Sequence, residues 1–366
     1  MPFRGMLIKT FREGSFMCTC ITYKNGDFYF GRNMDLEYSF GEAVVITPRN
    51  FPLHFRHTES LPSHYAMIGM AAGQNREDKL RGKQGELSRY DGENDEMRCF
   101  PLYAEAVNEV GLCVAGLNFP GNAFYGKEQT GRLNIASFEL IPWILGGCAS
   151  VQEAEEMFAD LNICDDAFSE DMPPAQLHWM LADRERCLVL EAVCEGMHIY
   201  ENPIGVLTNN PPFEYHRMNL NNYLNVTAGY PKSRFCQGET PSFFPSLQSA
   251  DLMLSPYSQG MGSIGIPGDF SSASRFVKAA FLRWNSVCNQ EEGANISQFF
   301  HILDGVAMPR GAVLTQDGKY DITTYACCMN ADMGVYYYKT YEDNQIHTTG
   351  LDKENLDGEQ LIVHKL

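Results

Sequence analysis

The sequence predicts an α+β fold. Runs of β-branched and aromatic residues dominate both ends of the chain, and apolar residues at helical spacing gather between them. A length of 366 residues raises the prospect of two domains or more. No Pro/Ser-rich linker, low-complexity tract or internal repeat divides the chain, so one large domain over 18–366 is expected.

The first element is a hairpin over Cys18–Asp35, CTCITYKNGDFYFGRNMD. Asn25-Gly26 is a two-residue turn signal because both residues tolerate positive φ. Ile21-Thr22-Tyr23 and Phe28-Tyr29-Phe30 flank it as strand formers. Folding back at this turn brings Gly31-Arg32-Asn33-Met34-Asp35 near Cys18. Ala43–Thr47 and Tyr65–Ala71 then read as strands. Residues 74–98 are charged and lack apolar periodicity, as a surface insertion would. Pro101–Asn118 reads as strand, turn at Asn108–Gly111, and strand, leaving Asn118 at a strand end where functional residues often sit. Ala136–Leu145 and Val151–Leu161 are expected to be helical, with Ser150 capping the second. Strands follow over Leu177–Ala182, Cys187–Ala192 and His198–Glu201. His178, beside Trp179, reads as a core histidine. Val206–Leu207 ends a further strand at Asn209-Asn210. Ser271-Ser272 can cap a helix with Val277, Ala280, Phe281 and Trp284 as its apolar stripe. Ser297–Met308 is expected to be another helix. Asp321–Met329, Met333–Thr340, Gln345–Gly350 and Glu359–His364 close the chain as strands.

Composition excludes several function classes. A net charge of −18 argues against nucleic acid and against an anionic membrane surface. No stretch approaches the ~18 apolar residues of a membrane span, and residues 1–16 lack a signal-peptide hydrophobic block. The twelve cysteines form no CxxC pair or zinc spacing and read as mostly buried thiols. Gly260–Gly265 fits GxGxxG, but no clear strand precedes it and Pro267-Gly268 interrupts the turn into a helix, which excludes a dinucleotide site.

The chemistry centres on Cys18. Removal of the chain up to Met17 would make Cys18 the N-terminal residue. A free α-amine has a pKa near ~8, so one residue would supply both a nucleophile and its base. Arg32 would favour the thiolate, and Asp35 could hold and orient the ammonium. The alternative is a half-buried cysteine in an edge strand, with Arg32 and Asp35 as a surface pair. Asn209 could donate to a developing oxyanion or serve as turn chemistry. Arg275 falls in the first turn of its helix, where a cation is disfavoured by the dipole; that position implies a nearby anion, which could be no more than a surface carboxylate.

The motifs, taken together, carry a resemblance. Met17-Cys18-Thr19, Gly31-Arg32-Asn33-Met34-Asp35, Thr47-Pro48-Arg49-Asn50, Gly116-Leu117-Asn118-Phe119-Pro120 and Leu177-His178-Trp179-Met180 occur in order. Gly205-Val206-Leu207-Thr208-Asn209, Gly265-Ile266-Pro267-Gly268-Asp269 with Ser274-Arg275-Phe276, and Phe299-Phe300-His301-Ile302-Leu303 complete them. This series resembles the choloylglycine hydrolase family, the conjugated bile salt hydrolases and penicillin V acylases, over nearly the whole chain. The resemblance implies the four-layer αββα sandwich of N-terminal nucleophile hydrolases, two antiparallel sheets flanked by helices. It implies Cys18 as nucleophile, Arg32 and Arg275 positioning the thiolate, Asp35 orienting the amine, and Asn209 and Asn118 as oxyanion donors. Met34 and Asn118 are the implied substrate contacts. No metal or cofactor is implied.

Conjugated bile salts are the implied substrates, since asparagine at the Asn118 position goes with bile salt hydrolases and penicillin V acylases often carry tyrosine. The alternatives are a penicillin V acylase or broader N-acyl amidase, and a silent bile-acid binding protein whose cysteine is masked by residues 1–17. The family usually begins at the equivalent of Met17, so residues 1–17 are expected to be absent from the mature enzyme. The insertion at 74–98 is either an inert loop or a lid over the substrate entrance. Residues 223–262 correspond to an arm that helps build a homotetramer, and a bacterial, cytoplasmic enzyme is implied.

Overall fold

The computed structural model describes residues 17–72, 100–169, 172–231 and 256–366. The proposed leader up to residue 16 and the 74–98 insertion lie outside them, as do residues 232–255 of the arm.

The opening hairpin forms as β1 (Met17–Asn25) and β2 (Asp27–Leu36). The turn is tighter than a two-residue Asn-Gly loop. Gly26 alone takes a positive φ, 75°, and Asn25 already pairs with Asp27. Asn25 instead spends its side chain on Asn289 O at 2.7 Å and Asn295 Oδ1 at 2.8 Å. The run DFYFGRNMDL is buried along nearly its whole length, as expected of a strand covered on both faces. At Gly31 the neighbouring strand comes so close that a Cβ would stand 2.1 Å from Cys327 O, which only glycine tolerates.

Around this hairpin the first antiparallel sheet is built in the order β12-β1-β2-β14-β15-β16, with β13 paired to β14. Here β12 is Val206–Leu207, β13 Val313–Leu314, β14 Tyr320–Asn330, β15 Val335–Thr340 and β16 His347–Gly350. The second antiparallel sheet runs β11-β10-β9-β6-β5-β4-β3-β17. Its strands are β3 (Glu42–Thr47), β4 (Met67–Ala72), β5 (Tyr103–Asn108), β6 (Cys113–Asn118), β9 (Leu177–Ala182), β10 (Cys187–Val193), β11 (Gly196–Glu201) and β17 (Ile362–Lys365).

The two sheets face each other, and helices cover their outer faces. Helices α1 (Leu140–Gly147) and α2 (Val151–Phe158) share an apolar core with the second sheet, built on Met67, Ala106, Val114 and Leu181. Helices α4 (Ser272–Trp284) and α5 (Glu292–Asp304) pack on the first sheet. A short helix α3 (Phe213–Asn219) precedes them. This is the four-layer αββα sandwich, and the hairpin strands lie buried in the layer between α4 and the second sheet.

Several elements differ from expectation. Leu133–Ala136 and Leu161–Cys164 are strands β7 and β8, a parallel pair outside both sheets. The helices expected over 136–145 and 151–161 are shortened accordingly. Pairing across that distance, with Asn162 Nδ2 donating to Asn134 Oδ1 at 2.7 Å, overrides local helical periodicity. Ser150 does cap α2, accepting from Glu153 N, and Ser271 caps α4 from Ser274 N. The α4 stripe is rotated: Phe276, Val277, Ala279 and Ala280 are buried, whereas Trp284 is 56% exposed.

Candidate active site

Register places Cys18 opposite Met34 and Cys20 opposite Arg32. Side chains alternate across a strand, and the Cys18 and Arg32 side chains meet on the face toward the second sheet. Arg32 Nη2 donates to Cys18 Sγ. Its Nη1 donates to Gly116 O at 2.6 Å and Ala104 O at 3.3 Å, carbonyls of the second sheet, and lies 3.7 Å from Glu105 Oε2. Met34 Sδ sits 3.9 Å from Cys18 Sγ and 3.6 Å from Arg32 Nη2. Arg32 and Asp35 are completely buried, and β1 has neighbours on both sides. The alternative of an edge-strand cysteine beside a surface pair is thereby removed.

Asn209 comes from the turn after β12. The β1–β12 register, Cys20 with Leu207 and Ile21 with Val206, extrapolates to Asn209 opposite Cys18. Cys18 is an amide here, joined to Met17, and its N–H donates to Asn209 Oδ1 at 2.8 Å. Arg275 Nη2 donates to the same oxygen at 2.7 Å, and Asn209 Nδ2 donates to Asn118 O at 2.9 Å. The backbone of Asn209 is held as firmly. Its N–H donates to Ser272 Oγ at 2.9 Å, and its carbonyl accepts from His216 Nε2 at 2.9 Å. His216 stacks on Phe276 with ring centroids 4.8 Å apart. Next to it, Thr208 O accepts from His178 Nε2 at 2.9 Å, while His178 Nδ1 faces Glu191 Oε1 at 3.0 Å. His178 is therefore a buried brace for the Asn209 turn.

Arg275 answers the question of its place in the first turn of α4. It is 1% exposed and donates to Cys18 O at 2.5 Å, Thr19 Oγ1 at 2.7 Å and Phe270 O at 3.0 Å, besides Asn209. Its anion is Asp35, whose Oδ2 lies 4.0 Å from Nη1. Thr323 Oγ1 donates to Asp35 Oδ1, and Oδ2 has no hydrogen-bond donor among the described residues. A surface ion pair for Arg275 is excluded by this burial.

Electrostatics at the thiol differ from expectation. Burial pushes the Cys18 thiol up from its ordinary value. Arg32 pulls it down, Asp35 pushes it up again, and Arg275 and the Asn118 backbone N–H pull it down. The pull of Arg32 is real but does not outweigh desolvation while the chain continues through Met17. Burial raises the Asp35 carboxyl to about 6, against Arg275, Thr323 and Arg32, which lower it. His216 is lowered to about 4 by burial and stays neutral near pH 7.

This geometry is a buried thiol with two guanidinium groups and an amide side chain directed at one residue. A family model for linear amide C–N hydrolases of the choloylglycine hydrolase family matches residues 18–81 and 90–364. The chain belongs to the choloylglycine hydrolase family. It is 45% identical over 350 residues to a "Bile salt hydrolase/transferase" of Lactiplantibacillus plantarum, covering 96% of this chain and 97% of the relative. It is 38% identical over 354 residues to one of Clostridium perfringens, covering 95% and 97%. The crystal structure of a variant of the conjugated bile acid hydrolase from Clostridium perfringens superposes with a TM-score of 0.79 at 36% identity, over 95% of this chain and 97% of that one. Penicillin V acylase from Agrobacterium tumefaciens shares the fold, with a TM-score of 0.65 at 15% identity over 95% and 90%.

The fold of this family member gathers Cys18, Arg32, Asp35, Met34, Asn209 and Arg275, and Asn118 reaches the group through its backbone. Sequence reasoning missed the residues behind them. Glu105, Ser272, His216 and Thr323 each touch one of the named side chains or its backbone. Glu105 carried a signal, a carboxylate between two alanines inside a strand. Among the described residues, His57, Cys164 and Asp166 could hold a metal ion, their donor atoms lying within 4.8 Å of one another. That group shares no residue with the surroundings of Cys18, and His57 Nε2 already meets Asp166 Oδ2 at 2.7 Å.

Proposed function

We propose that this protein hydrolyses the amide bond of glycine- or taurine-conjugated bile salts, with Cys18 as an N-terminal nucleophile once residues 1–17 are lost. The observation that carries the reading is the convergence of Arg32, Asn209 and Arg275 on Cys18 in a buried site. The names of the relatives supply the substrate class.

The free amine of Cys18 takes the thiol proton, and the thiolate attacks the amide carbonyl. The oxyanion accepts hydrogen bonds from Asn209 Nδ2 and from Asn118; one such donor is worth roughly 3–4 kcal/mol. One Asn209 amide hydrogen serves Asn118 O, which leaves the second for the oxyanion. The Cys18 ammonium then protonates the departing nitrogen of glycine or taurine. Water cleaves the thioester, releasing the bile acid and restoring the thiol; an amine in place of water gives acyl transfer. Arg32 and Arg275 fix the thiolate and its backbone. Asp35 Oδ2, a buried acceptor without a donor among the described residues, receives the ammonium that appears when Met17 leaves. Met34 borders the acyl group with its thioether.

The resemblance further implies a cytoplasmic homotetramer. Leu224, Tyr230 and Tyr257, in the described part of the arm, are exposed and apolar, as a subunit contact would require. No helix among the described residues is long and apolar enough to cross a membrane.

The test is amine release from glycocholate and taurocholate, set beside penicillin V hydrolysis, with protein started at Met17 and a Cys18→Ala control. Clear preference for the bile salts is expected. Preference for penicillin V would keep the chemistry and overturn the substrate, and turnover by the alanine control would overturn both.

A further inference from the structure

Glu105 is a charged residue on β5, yet it has no exposed surface. It points across the space between the sheets, and its partners come from the opposite one. Tyr325 donates its hydroxyl to Oε2 at 2.9 Å, Tyr336 to Oε1 at 2.6 Å, and the Cys327 thiol to Oε1 at 3.5 Å. A further neighbour is Arg32 Nη1, 3.7 Å from Oε2. Burial raises the Glu105 carboxyl, and Arg32, Tyr336, Tyr325 and Cys327 oppose it. Two hydroxyls and a thiol donate to its oxygens, and a guanidinium stands at ionic range. The geometry therefore fits the ionised form.

Arg32 is then shared. Nη2 meets the Cys18 thiol while Nη1 faces the Glu105 carboxylate. Neither charge is screened by water, so a carboxylate at this range competes with the thiol for the same guanidinium. The carboxylate also fixes where that guanidinium lies, because two tyrosines fix the carboxylate.

We propose that Glu105 is a positioning residue for the nucleophile: it holds the Arg32 guanidinium against Cys18 and draws off part of its charge. This rests on the reading of Cys18 as nucleophile. The arrangement trades thiol acidity for placement. Without Glu105 the thiol would ionise more readily, but Arg32 would lose one of the groups that align it.

The test is alkylation of Cys18 by iodoacetamide across pH, read on the Cys18 peptide by mass spectrometry, in protein started at Met17. In Glu105→Gln the midpoint falls by on the order of one unit, and kcat for amide hydrolysis falls with it. Glu105→Asp keeps the charge but withdraws it by one methylene group. It gives a smaller shift in the same direction, and covers the case in which glutamine at this buried position compromises folding. A midpoint unchanged from the parent, or one that rises, overturns the proposal whatever happens to kcat. Alkylation needs no substrate, so failure to hydrolyse bile salts would count against the substrate reading alone. Failure of Cys18 to alkylate in the parent at any pH would sink the nucleophile reading, and this inference with it.

Discussion

Asn209 is the residue at which folding and chemistry can be separated by choice of substitution. Asn209→Ala would strip partners from three groups: the Cys18 N–H, Arg275 Nη2 and Asn118 O. Each buried group left unsatisfied costs about 1–3 kcal/mol. Even with relaxation, the sum is roughly 3–6 kcal/mol, a large part of the ~5–15 kcal/mol that holds a domain folded. Loss of activity in that variant would therefore say little about catalysis.

Asn209→Asp is the informative change. The retained oxygen still accepts from Cys18 N and now pairs with Arg275 as an anion. What is lost is the Nδ2 donor, replaced by an oxygen facing Asn118 O. The net stability cost is about 1–3 kcal/mol, one lost bond partly offset by a charge-assisted one. A carboxylate cannot donate to an oxyanion, and the rate should fall by about 10²–10³ or more. The assay pairs kcat on glycocholate with thermal denaturation. The expected result is a drop of at least ~100-fold with a melting temperature lowered by only a few degrees. A folded aspartate variant with kcat within about threefold of the parent, far inside that factor, would refute Asn209 as an oxyanion donor.

Further outcomes are expected at three residues. Arg275→Lys replaces a planar fork reaching four acceptors with a single point charge; kcat should fall by about 10–100-fold with a stability loss of about 2–4 kcal/mol, measured by turnover and urea unfolding. In the proposed mechanism Asp35 must be ionised to receive the ammonium; burial raises its carboxyl to about 6 while Cys18 is still an amide, and the ammonium would lower it again, so kcat/KM should lose activity on an acidic limb below pH 6, and Asp35→Asn should abolish activity. The same raised value means the folded state holds a proton that the unfolded chain releases. Its stabilising effect is full below about 3.8 and is lost as pH rises through about 6, of order 3 kcal/mol, and Asp35→Asn should flatten the denaturation midpoint over that range. Phe276→Ala, beneath the His216 ring, should cost about 3–5 kcal/mol in urea unfolding, with KM less affected than stability.

How far the sequence reached depended on whether a residue's partner was local. The Cys18–Asp35 hairpin was legible because strand formers and a turn signal lie side by side, and register then fixes which side chains meet. The end of β6 at Asn118 and the cap at Ser271 were legible for the same reason. The α4 stripe was misread at Trp284 because burial there is decided by Arg275 and Phe276 facing the first sheet, not by apolar spacing alone. The parallel pairing of β7 with β8 could not be read from either segment by itself. Arg32 was expected to acidify the thiol, but nothing local states that Cys18 would be buried deeply enough for desolvation to win. Glu105 was missed because its partners Arg32, Tyr325 and Tyr336 come from the opposite sheet and distant parts of the chain.

The ladder between β1 and β12 stops after two pairs, two residues short of Cys18. Had it continued, the Cys18 nitrogen would be closed into an ordinary seam against the carbonyl of Asn209. That carbonyl is instead turned away to His216, and the Asn209 side chain stands in its place. A side-chain amide can accept from the nitrogen with its oxygen while offering hydrogens elsewhere, which a peptide carbonyl cannot do. The Cys18 end of this strand is thus an unzipped stretch of sheet in which one missing backbone partner has been replaced by a bifunctional one. Substitutions that let residues 208–210 zip onto β1 should leave the fold intact and silence the enzyme.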